Sequence, residues 1–191
     1  MFSHYHHLLR QIYSRWTSYL PSHLYLYLSG VSCPKSVVFY GLPYIRRTRY
    51  SEVRIGANCV FRSSAHSNLI GINRKCFIST LKSGAIIEIG KGSKFSGVVI
   101  GCAKSISIGE GTMVGANVLI TDSDWHSEDM RSRGDNSISI GKKVWIGEGA
   151  KILKGVTIGD NSLVGAGCVV TKDIPADTIV VGNPCREVGS I

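Results

Sequence analysis

The side chains best suited to chemistry lie in a polar stretch, residues 121–136, with the sequence Thr-Asp-Ser-Asp-Trp-His-Ser-Glu-Asp-Met-Arg-Ser-Arg-Gly-Asp-Asn. Its histidine, His126, has carboxylates nearby on both sides, at Asp122, Asp124, Glu128 and Asp129. An imidazole accepts a proton near neutral pH, and a carboxylate can orient its ring. The stretch therefore offers a general base. The alternative interpretation is an exposed loop histidine among solvated charges.

Zinc binding is the rival chemistry for histidine, because a protein can present three imidazoles to one zinc ion. Of the six histidines, only His66 and His126 lie beyond residue 23, and His66 is expected at a corner of the fold. The six cysteines form no Cys-x-x-Cys pair, which favours small, reduced core residues. They are Cys33, Cys59, Cys76, Cys102, Cys168 and Cys185. No metal ion is expected.

A six-residue period indicates the scaffold that must position His126. An aliphatic residue recurs at Ile140, Ile146, Ile152, Ile158, Val164 and Val170, and a second apolar or small residue follows four positions after each, at Val144, Ala150, Val156, Ser162, Cys168 and Ile174. Each unit is one short strand and one corner, with both marked positions directed inward. Because one unit cannot bury its apolar face, the repeat predicts a parallel β-solenoid. Strands of a sandwich are the alternative, but their turns come at irregular intervals.

Earlier copies of the repeat extend the solenoid towards the N-terminus. They occur at Ile108 with Thr112, Val114 with Val118, Ile55 with Cys59, Phe61 with Ala65, and Ile89 with Ser93 and Phe95. Between Ile120 and Ile140 the interval is twenty residues instead of the eighteen of three repeats. The polar stretch is therefore predicted to leave the solenoid wall as a loop, residues 121–137. Loops held by rigid elements often carry functional residues.

The N-terminal segment has a different pattern. Apolar residues fall on one helical face and polar residues on the other, which predicts an amphipathic helix that ends at Pro21. The apolar set is Tyr5, Leu8, Leu9, Ile12, Trp16, Tyr19 and Leu20, and the polar set is His6, Arg10, Gln11, Ser14, Arg15 and Ser18. We expect residues 1–52 to form a helix and lead-in cap, and residues 53–191 to form the solenoid domain. Covering the open solenoid end is favoured over binding a membrane surface, and the two are compatible.

Composition gives weaker guidance to function. The chain has 191 residues, 43% apolar content and a formal charge of +9, which suits one domain and an anionic partner such as phosphate, an acidic glycan or a lipid surface. No nucleic-acid-binding motif accompanies the basic residues. The N-terminus lacks the layout of a secretory signal, and no run of 18 apolar residues occurs. A cytoplasmic location is expected, with peripheral contact at the inner membrane as an open alternative.

Three motifs make the sequence resemble a known superfamily. They are Lys-Val-Trp-Ile-Gly at 143–147, the run from Gly155 to Pro175, and Gly-Asn-Pro-Cys-Arg at 182–186. Together they look like those of the hexapeptide-repeat acyltransferases, with the pattern of galactoside and maltose acetyltransferases and of bacterial surface-polysaccharide O-acetyltransferases. The resemblance implies an all-β fold, a left-handed parallel β-helix, here with an N-terminal amphipathic helical segment. It also implies a homotrimer with its active sites between subunits.

The resemblance assigns roles to particular residues. His126 in Asp-Ser-Asp-Trp-His matches the family's catalytic base, and Asp122, Asp124 and Trp125 are expected at the acceptor. The residues implied for acetyl-CoA are Trp145, Gly147, Ala166, Thr171, Lys172 and Arg186. These residues also have alternative interpretations without a role in binding. Trp145 could be a corner residue that packs on a neighbouring subunit, and Lys172 and Arg186 could be solvated surface charges.

The function expected from this resemblance is acetyl transfer from acetyl-CoA to a sugar hydroxyl. The sugar-gripping residues of galactoside acetyltransferases have no clear match around residues 94–103, which shifts the expected acceptor towards a surface polysaccharide or lipid-linked glycan. The alternatives are N-acetylation of an amino sugar, acetylation of a small molecule, a zinc-dependent carbonic anhydrase of the same fold, and an inactive scaffold.

Overall fold

A computed structural model describes residues 2–191, and it describes side chains at Leu9 and from Ile12 onward. The predicted helical-face positions Tyr5, His6, Leu8, Arg10 and Gln11 therefore have side chains outside the described part. In chain order the elements are α1 (Phe2–Leu28), β1 (Val38–Tyr40), β2 (Tyr44–Arg46), β3 (Glu52–Ile55), β4 (Val60–Arg62), a short 3-10 helix (Ala65–Ser67), β5 (Phe77–Thr80), β6 (Ile86–Ile89), β7 (Lys94–Ser96), β8 (Val99–Cys102), β9 (Ser105–Ile108), β10 (Met113–Ala116), β11 (Leu119–Thr121), β12 (Ile138–Ile140), β13 (Trp145–Ile146), β14 (Lys151–Ile152), β15 (Thr157–Ile158), β16 (Leu163–Val164), β17 (Val169–Val170), β18 (Thr178–Val181) and β19 (Arg186–Ser190).

The strands form a three-sided parallel solenoid. Within residues 2–191, sheet 1 has the order β1-β4-β7-β10-β13-β16-β18-β19, sheet 2 has β2-β5-β8-β11-β14-β17, and sheet 3 has β3-β6-β9-β12-β15. From β1 to β17 successive strands visit sheets 1, 2 and 3 in rotation, so each three strands make one coil, and β18 and β19 both lie in sheet 1. All pairings are parallel except that of β18 with β19, which is antiparallel. Because β1 and β2 continue sheets 1 and 2, the first coil begins at Val38, ahead of residue 53.

The six-residue period produces the core. Ile108, Ile140 and Ile158 stand in register in sheet 3, and Val114, Ile146 and Val164 do so in sheet 1. Both marked positions of every repeat from Ile140 to Ile174 are buried. Aromatic side chains extend the core at the N-terminal end, where Phe61 stacks on Phe39 and Phe95 with ring centroids 5.5 and 4.9 Å apart. The predicted parallel solenoid is therefore confirmed.

One predicted inward position is wrong. Ala65 is exposed and begins the short 3-10 helix, because the chain leaves the solenoid between β4 and β5. We call residues 63–76 the first loop. Ile72 is buried at its base, where its side chain approaches within 2.3 Å of the place that a Cβ on Gly97 would occupy. Gly97 is therefore needed for this loop to lie against the wall.

The helix α1 continues through Pro21 to Leu28, contrary to the predicted end at Pro21. Proline removes one hydrogen bond and crowds the preceding turn. Packing of Leu26, which is fully buried in the hydrophobic core, compensates for this loss. Among the described residues, no helix has the length and apolar character needed to cross a membrane.

Candidate active site

The polar stretch projects between β11 and β12 as predicted, and we call residues 122–137 the catalytic loop. Asp122 anchors its base: the carboxylate is fully buried and accepts hydrogen bonds from the backbone N–H groups of Ala103, Lys104 and Ser105, at 2.6, 2.8 and 2.9 Å. The N–H of Asn136 donates to the Asp122 carbonyl at 2.9 Å and closes the loop. Asp122 is thus positioned to hold the loop, away from solvent.

His126 stands on the outer part of this loop, with 78% of its side chain exposed. Its Nδ1 lies 3.4 Å from Oε1 of Glu128. The pKa of Glu128 is lowered, first by its own backbone N–H and then by the hydrogen bond with His126. A carboxylate on Nδ1 leaves Nε2 as the ring nitrogen that faces outward, which is the arrangement of a histidine base oriented by an acid.

Trp125, next to His126, lies against the wall of the solenoid. A Cβ on Gly101 in β8 would sit 2.5 Å from Cζ2 of Trp125, so the indole covers this glycine. Trp125 has φ of 68°, a left-handed conformation that is uncommon for an aromatic residue. Contact with Gly101 therefore fixes the backbone that carries His126.

Lysines fasten the catalytic loop on both sides. Lys154 contacts the Asp124 carboxylate and donates to the Gly134 carbonyl at 2.8 Å. This lysine is the main reason that the pKa of Asp124 is lowered. Lys82 lies 2.5 Å from Asp135 and lowers its pKa in the same way. Asp124 is thus engaged within the loop, and the expected acceptor residues Asp122 and Asp124 both have protein partners.

Three residues expected at acetyl-CoA come together at the C-terminal end. Thr171, Lys172 and Arg186 line a cleft of about 360 Å³ with Pro184 and Cys185. Within the described residues, neither cation belongs to an ion pair. Thr171 also lines a smaller cleft together with Ser123 and Asp124 at the base of the catalytic loop and Lys154 on the solenoid wall. This end of the chain therefore joins the cations to the loop that carries His126.

The other three expected residues lie elsewhere. Trp145, Gly147 and Ala166 line a cleft of about 420 Å³ outside sheet 1, together with Asn68 and Ile70 of the first loop. Gly147 has a structural reason to be glycine, because its Cβ would lie 2.5 Å from the backbone nitrogen of Ala166 in the next coil. One chain therefore holds the expected residues in two separate clefts.

The sequence reasoning missed Lys82, Lys154, Asn68 and Ile70. The signal for the first loop was present, since seventeen residues separate the inward Phe61 from the inward Ile78 where one repeat would need six. The lysines carry no such signal, because they lie on the wall and reach the catalytic loop only in the folded chain. Among the described residues, no group of three or more His, Cys, Asp or Glu side chains is arranged to hold a metal ion.

The repeat region is similar to a known protein family. Residues 137–172 match the bacterial transferase hexapeptide family of six repeats. This stretch of the chain therefore carries the hexapeptide repeats of that family. Its predicted fold class, a left-handed parallel β-helix with an N-terminal helical segment, is confirmed. Galactoside acetyltransferase in complex with coenzyme A is structurally similar to this chain, with a TM-score of 0.50 and 26% identity over 81% of this chain and 64% of that one.

Two galactoside O-acetyltransferases are similar in sequence to part of this chain. This chain is 42% identical to galactoside O-acetyltransferase of Escherichia coli over 92 residues, 46% of this chain and 45% of the relative. It is 45% identical to galactoside O-acetyltransferase of Lactococcus lactis over 85 residues, 42% of this chain and 41% of the relative. WeeI from Acinetobacter baumannii shares the fold, with a TM-score of 0.52 and 23% identity over 92% of this chain and 68% of that one. The alignments span less than half the length of these two galactoside acetyltransferases.

Proposed function

We propose that this chain is an acetyl-CoA-dependent O-acetyltransferase that transfers the acetyl group to a sugar hydroxyl, in the synthesis of a surface polysaccharide. The observation that carries the proposal is the His126–Glu128 pair on a loop whose base adjoins the cleft of Thr171, Lys172 and Arg186. The similarity to galactoside O-acetyltransferases supports the same chemistry.

In the proposed reaction His126 acts as general base. It takes the proton of the sugar hydroxyl as that oxygen attacks the thioester carbonyl, and it gives the proton to the departing thiolate when the carbon–sulfur bond breaks. Glu128 orients the ring and stabilises its protonated form. A backbone N–H of an adjoining coil would stabilise the oxyanion, an effect worth about 3–4 kcal/mol per donor. The reaction needs neither a nucleophilic side chain nor a metal ion.

The residues of the C-terminal cleft suit the acetyl donor. Lys172 and Arg186 form no ion pair among the described residues, and Asp173 and Glu187 line the same cleft. Cations of this kind suit the phosphate groups of CoA. Thr171 places this cleft beside the catalytic loop, so a donor held there would have its phosphates at the cations and its thioester towards His126.

We propose that the active chain is a homotrimer. Trp145 and Ala166 lie outside sheet 1, whereas the catalytic loop leaves sheet 2, so one chain separates them. Packing of a second copy against sheet 1 would bring its catalytic loop to the cleft of Trp145, Gly147 and Ala166. Trp145 is 53% exposed in the single chain, which leaves its indole free for such a contact. The first loop, through Asn68 and Ile70, would then line the same site.

The acceptor that we propose is a glycan, including a lipid-linked one, and the location is the cytoplasmic side of the inner membrane. Support for a sugar comes from the galactoside acetyltransferases among the relatives. Support for the location is the basic N-terminal segment, in which residues 1–51 contain six Lys or Arg and no Asp or Glu.

Thiol release from acetyl-CoA by the purified chain tests the activity, with a panel of monosaccharides and bacterial glycans as acceptors. We expect acceptor-dependent release and a product that mild alkali hydrolyses, as an ester does and an amide does not. Lys172→Ala and Arg186→Ala should raise the KM for acetyl-CoA, whereas Lys142→Ala, an exposed lysine on another corner, should leave it unchanged. Failure of every acceptor to accelerate thiol release would contradict the proposal.

A further inference from the structure

The helix α1 carries an exposed apolar surface that neither the fold nor the proposed reaction uses. Its members follow each other at helical spacing on one face, and we call them the apolar stripe: Leu9, Ile12, Tyr13, Trp16, Leu20, Leu24 and Tyr27. Trp16 and Tyr27 are each 77% exposed and Leu20 is 74% exposed. Soluble proteins rarely leave a contiguous apolar surface of this kind in water unless it binds something.

The opposite face of α1 fixes the direction of the stripe. Ser18, Ser22 and Leu26 are buried against the solenoid. The hydroxyl of Tyr19 donates to the Lys35 carbonyl at 2.9 Å, and the hydroxyl of Tyr25 donates to the Ile45 carbonyl at 2.7 Å. A surface helix ordinarily turns its apolar face to the core. Here a face containing serine covers the solenoid end, and the stripe points away from it.

Positive charge surrounds this helix. Residues 1–51 contain no acidic residue, and their six basic residues are Arg10, Arg15, Lys35, Arg46, Arg47 and Arg49. Three of the described ones are tied to α1: Arg15 lies on it, the backbone of Lys35 bonds to Tyr19, and the Arg47 guanidinium donates to the Ser29 carbonyl at 3.2 Å. All three side chains are exposed. The N-terminal segment that carries the stripe therefore also carries exposed cations, and residues 1–51 contain no acidic residue to neutralise them.

We propose that α1 is a membrane-docking helix that lies on the surface of an anionic bilayer, with the apolar stripe among the lipids and the basic residues at the headgroups. Leucine, tryptophan and tyrosine on one face with arginine and lysine beside them is the composition of an interfacial helix. A second copy of the chain fits this surface less well. Stripe-to-stripe pairing would bring two basic segments together, whereas anionic lipid neutralises them.

Docking in this way would hold the solenoid end against the bilayer. The catalytic loop belongs to the same rigid solenoid, so its distance from the membrane would be fixed by the coils between β2 and β11. This inference concerns location and goes beyond the transferase reaction, which a soluble acceptor reports separately.

Sedimentation of the full chain with vesicles tests the proposal. We expect the chain to sediment with vesicles of phosphatidylglycerol and phosphatidylcholine, to sediment less with phosphatidylcholine alone, and to be released by salt. The double variant Trp16→Glu/Leu20→Glu should lower the partition coefficient by at least about tenfold. Leu69→Glu, equally apolar and exposed but on the first loop, should leave binding unchanged. Circular dichroism and the molar mass in solution verify that each variant is folded.

Three results would overturn the proposal. The wild-type chain could fail to sediment with anionic vesicles, or it could bind neutral vesicles as well as anionic ones. The double variant could also change the oligomer's molar mass while binding vesicles like the wild type, which would make the stripe a contact between copies. A failure here would also overturn the proposed membrane location, but it leaves thiol release with soluble sugars unaffected, so it is distinguishable from failure of the proposed acetyl transfer.

Discussion

Replacing Asp122 should show whether this carboxylate supports the fold or contacts substrate. In the structure it is fully buried and accepts hydrogen bonds from three consecutive backbone N–H groups, those of residues 103–105. These groups form the corner between β8 and β9. Asp122→Ala removes every acceptor at once and leaves three donors unpaired at the base of the catalytic loop, one of them buried and two part-buried.

The expected loss of stability follows from those three bonds. A buried donor left without its acceptor costs about 1–3 kcal/mol. Partial rearrangement and water entry reduce the sum, so we expect Asp122→Ala to lower the free energy of unfolding by about 3–5 kcal/mol, the range found when a buried charged network is broken. Asp122→Asn should also destabilise, because its amide NH₂ would face backbone donors in place of an accepting oxygen.

Urea unfolding followed by circular dichroism, at one fixed protein concentration, measures this loss. Asp129→Asn is the matched control, since Asp129 is in the same loop and, among the described residues, its side chain bonds only to the backbone and side chain of Arg131. The control should unfold like the wild type. If Asp122→Asn unfolded like the wild type and only raised the KM for the acceptor, the role of Asp122 in holding the base of the loop would be refuted. A contact with substrate would then be favoured.

Three further predictions follow from other parts of the structure. Gly147→Ala should destabilise by about 1–3 kcal/mol in thermal unfolding, because its Cβ would meet the next coil's backbone at 2.5 Å, whereas Gly189→Ala meets nothing and should be neutral. Burial raises the pKa of Cys33 to about 11, so on the order of 0.1% is thiolate at pH 8, and Ellman's reagent should label it far more slowly in the native chain than in urea. Lys82 lowers the pKa of Asp135, so the stabilisation that this pair gives is present above the ordinary carboxyl range and lost as pH falls below about 4; hydrogen exchange in the catalytic loop should then increase while strand protection persists.

The solenoid could be predicted from sequence because its constraint is local and repeated. Each inward position is set by strand alternation, and in-register stacking puts equivalent residues of neighbouring coils side by side, as for Ile120, Ile152 and Val170. The interval between Ile120 and Ile140 was compared with the wrong number of repeats in the sequence analysis. Ile120 and Ile140 lie in consecutive strands of sheets 2 and 3, so their interval of twenty replaces a single six-residue step, and the catalytic loop is an insertion of fourteen residues.

The first loop escaped prediction because Ala65 fits the repeat by residue type. Small residues occupy inward positions elsewhere, so Phe61 with Ala65 looked like another faint copy. Helix α1 was predicted too short for a different reason: Pro21 weakens a helix locally, but burial of Ser22 and Leu26 is decided by tertiary packing. Amphipathicity likewise showed two faces without showing which one meets the solenoid.

The candidate site was predictable in part. His126 stands out as the histidine in the polar loop between Ile120 and Ile140, and its carboxylate neighbours could be counted. Only the folded loop distinguishes Glu128 beside the ring from Asp122 beneath the loop. The resemblance to acetyltransferases indicated Thr171, Lys172 and Arg186 together, and they line one cleft. Thr171, Lys172 and Arg186 lie in a different cleft from Trp145. The sequence does not show this separation, because it depends on the sheet to which each residue's strand or corner belongs.

The most direct test of the proposed chemistry is the rate of acetyl transfer by His126→Ala, with His66→Ala as the matched control, an exposed histidine on the first loop. With the acceptor that gives the fastest thiol release, we expect His126→Ala to lower kcat by at least about 100-fold, the effect of losing a general base, with the KM for acetyl-CoA little changed. His66→Ala should turn over like the wild type. Equal rates for His126→Ala and the wild type would contradict the account.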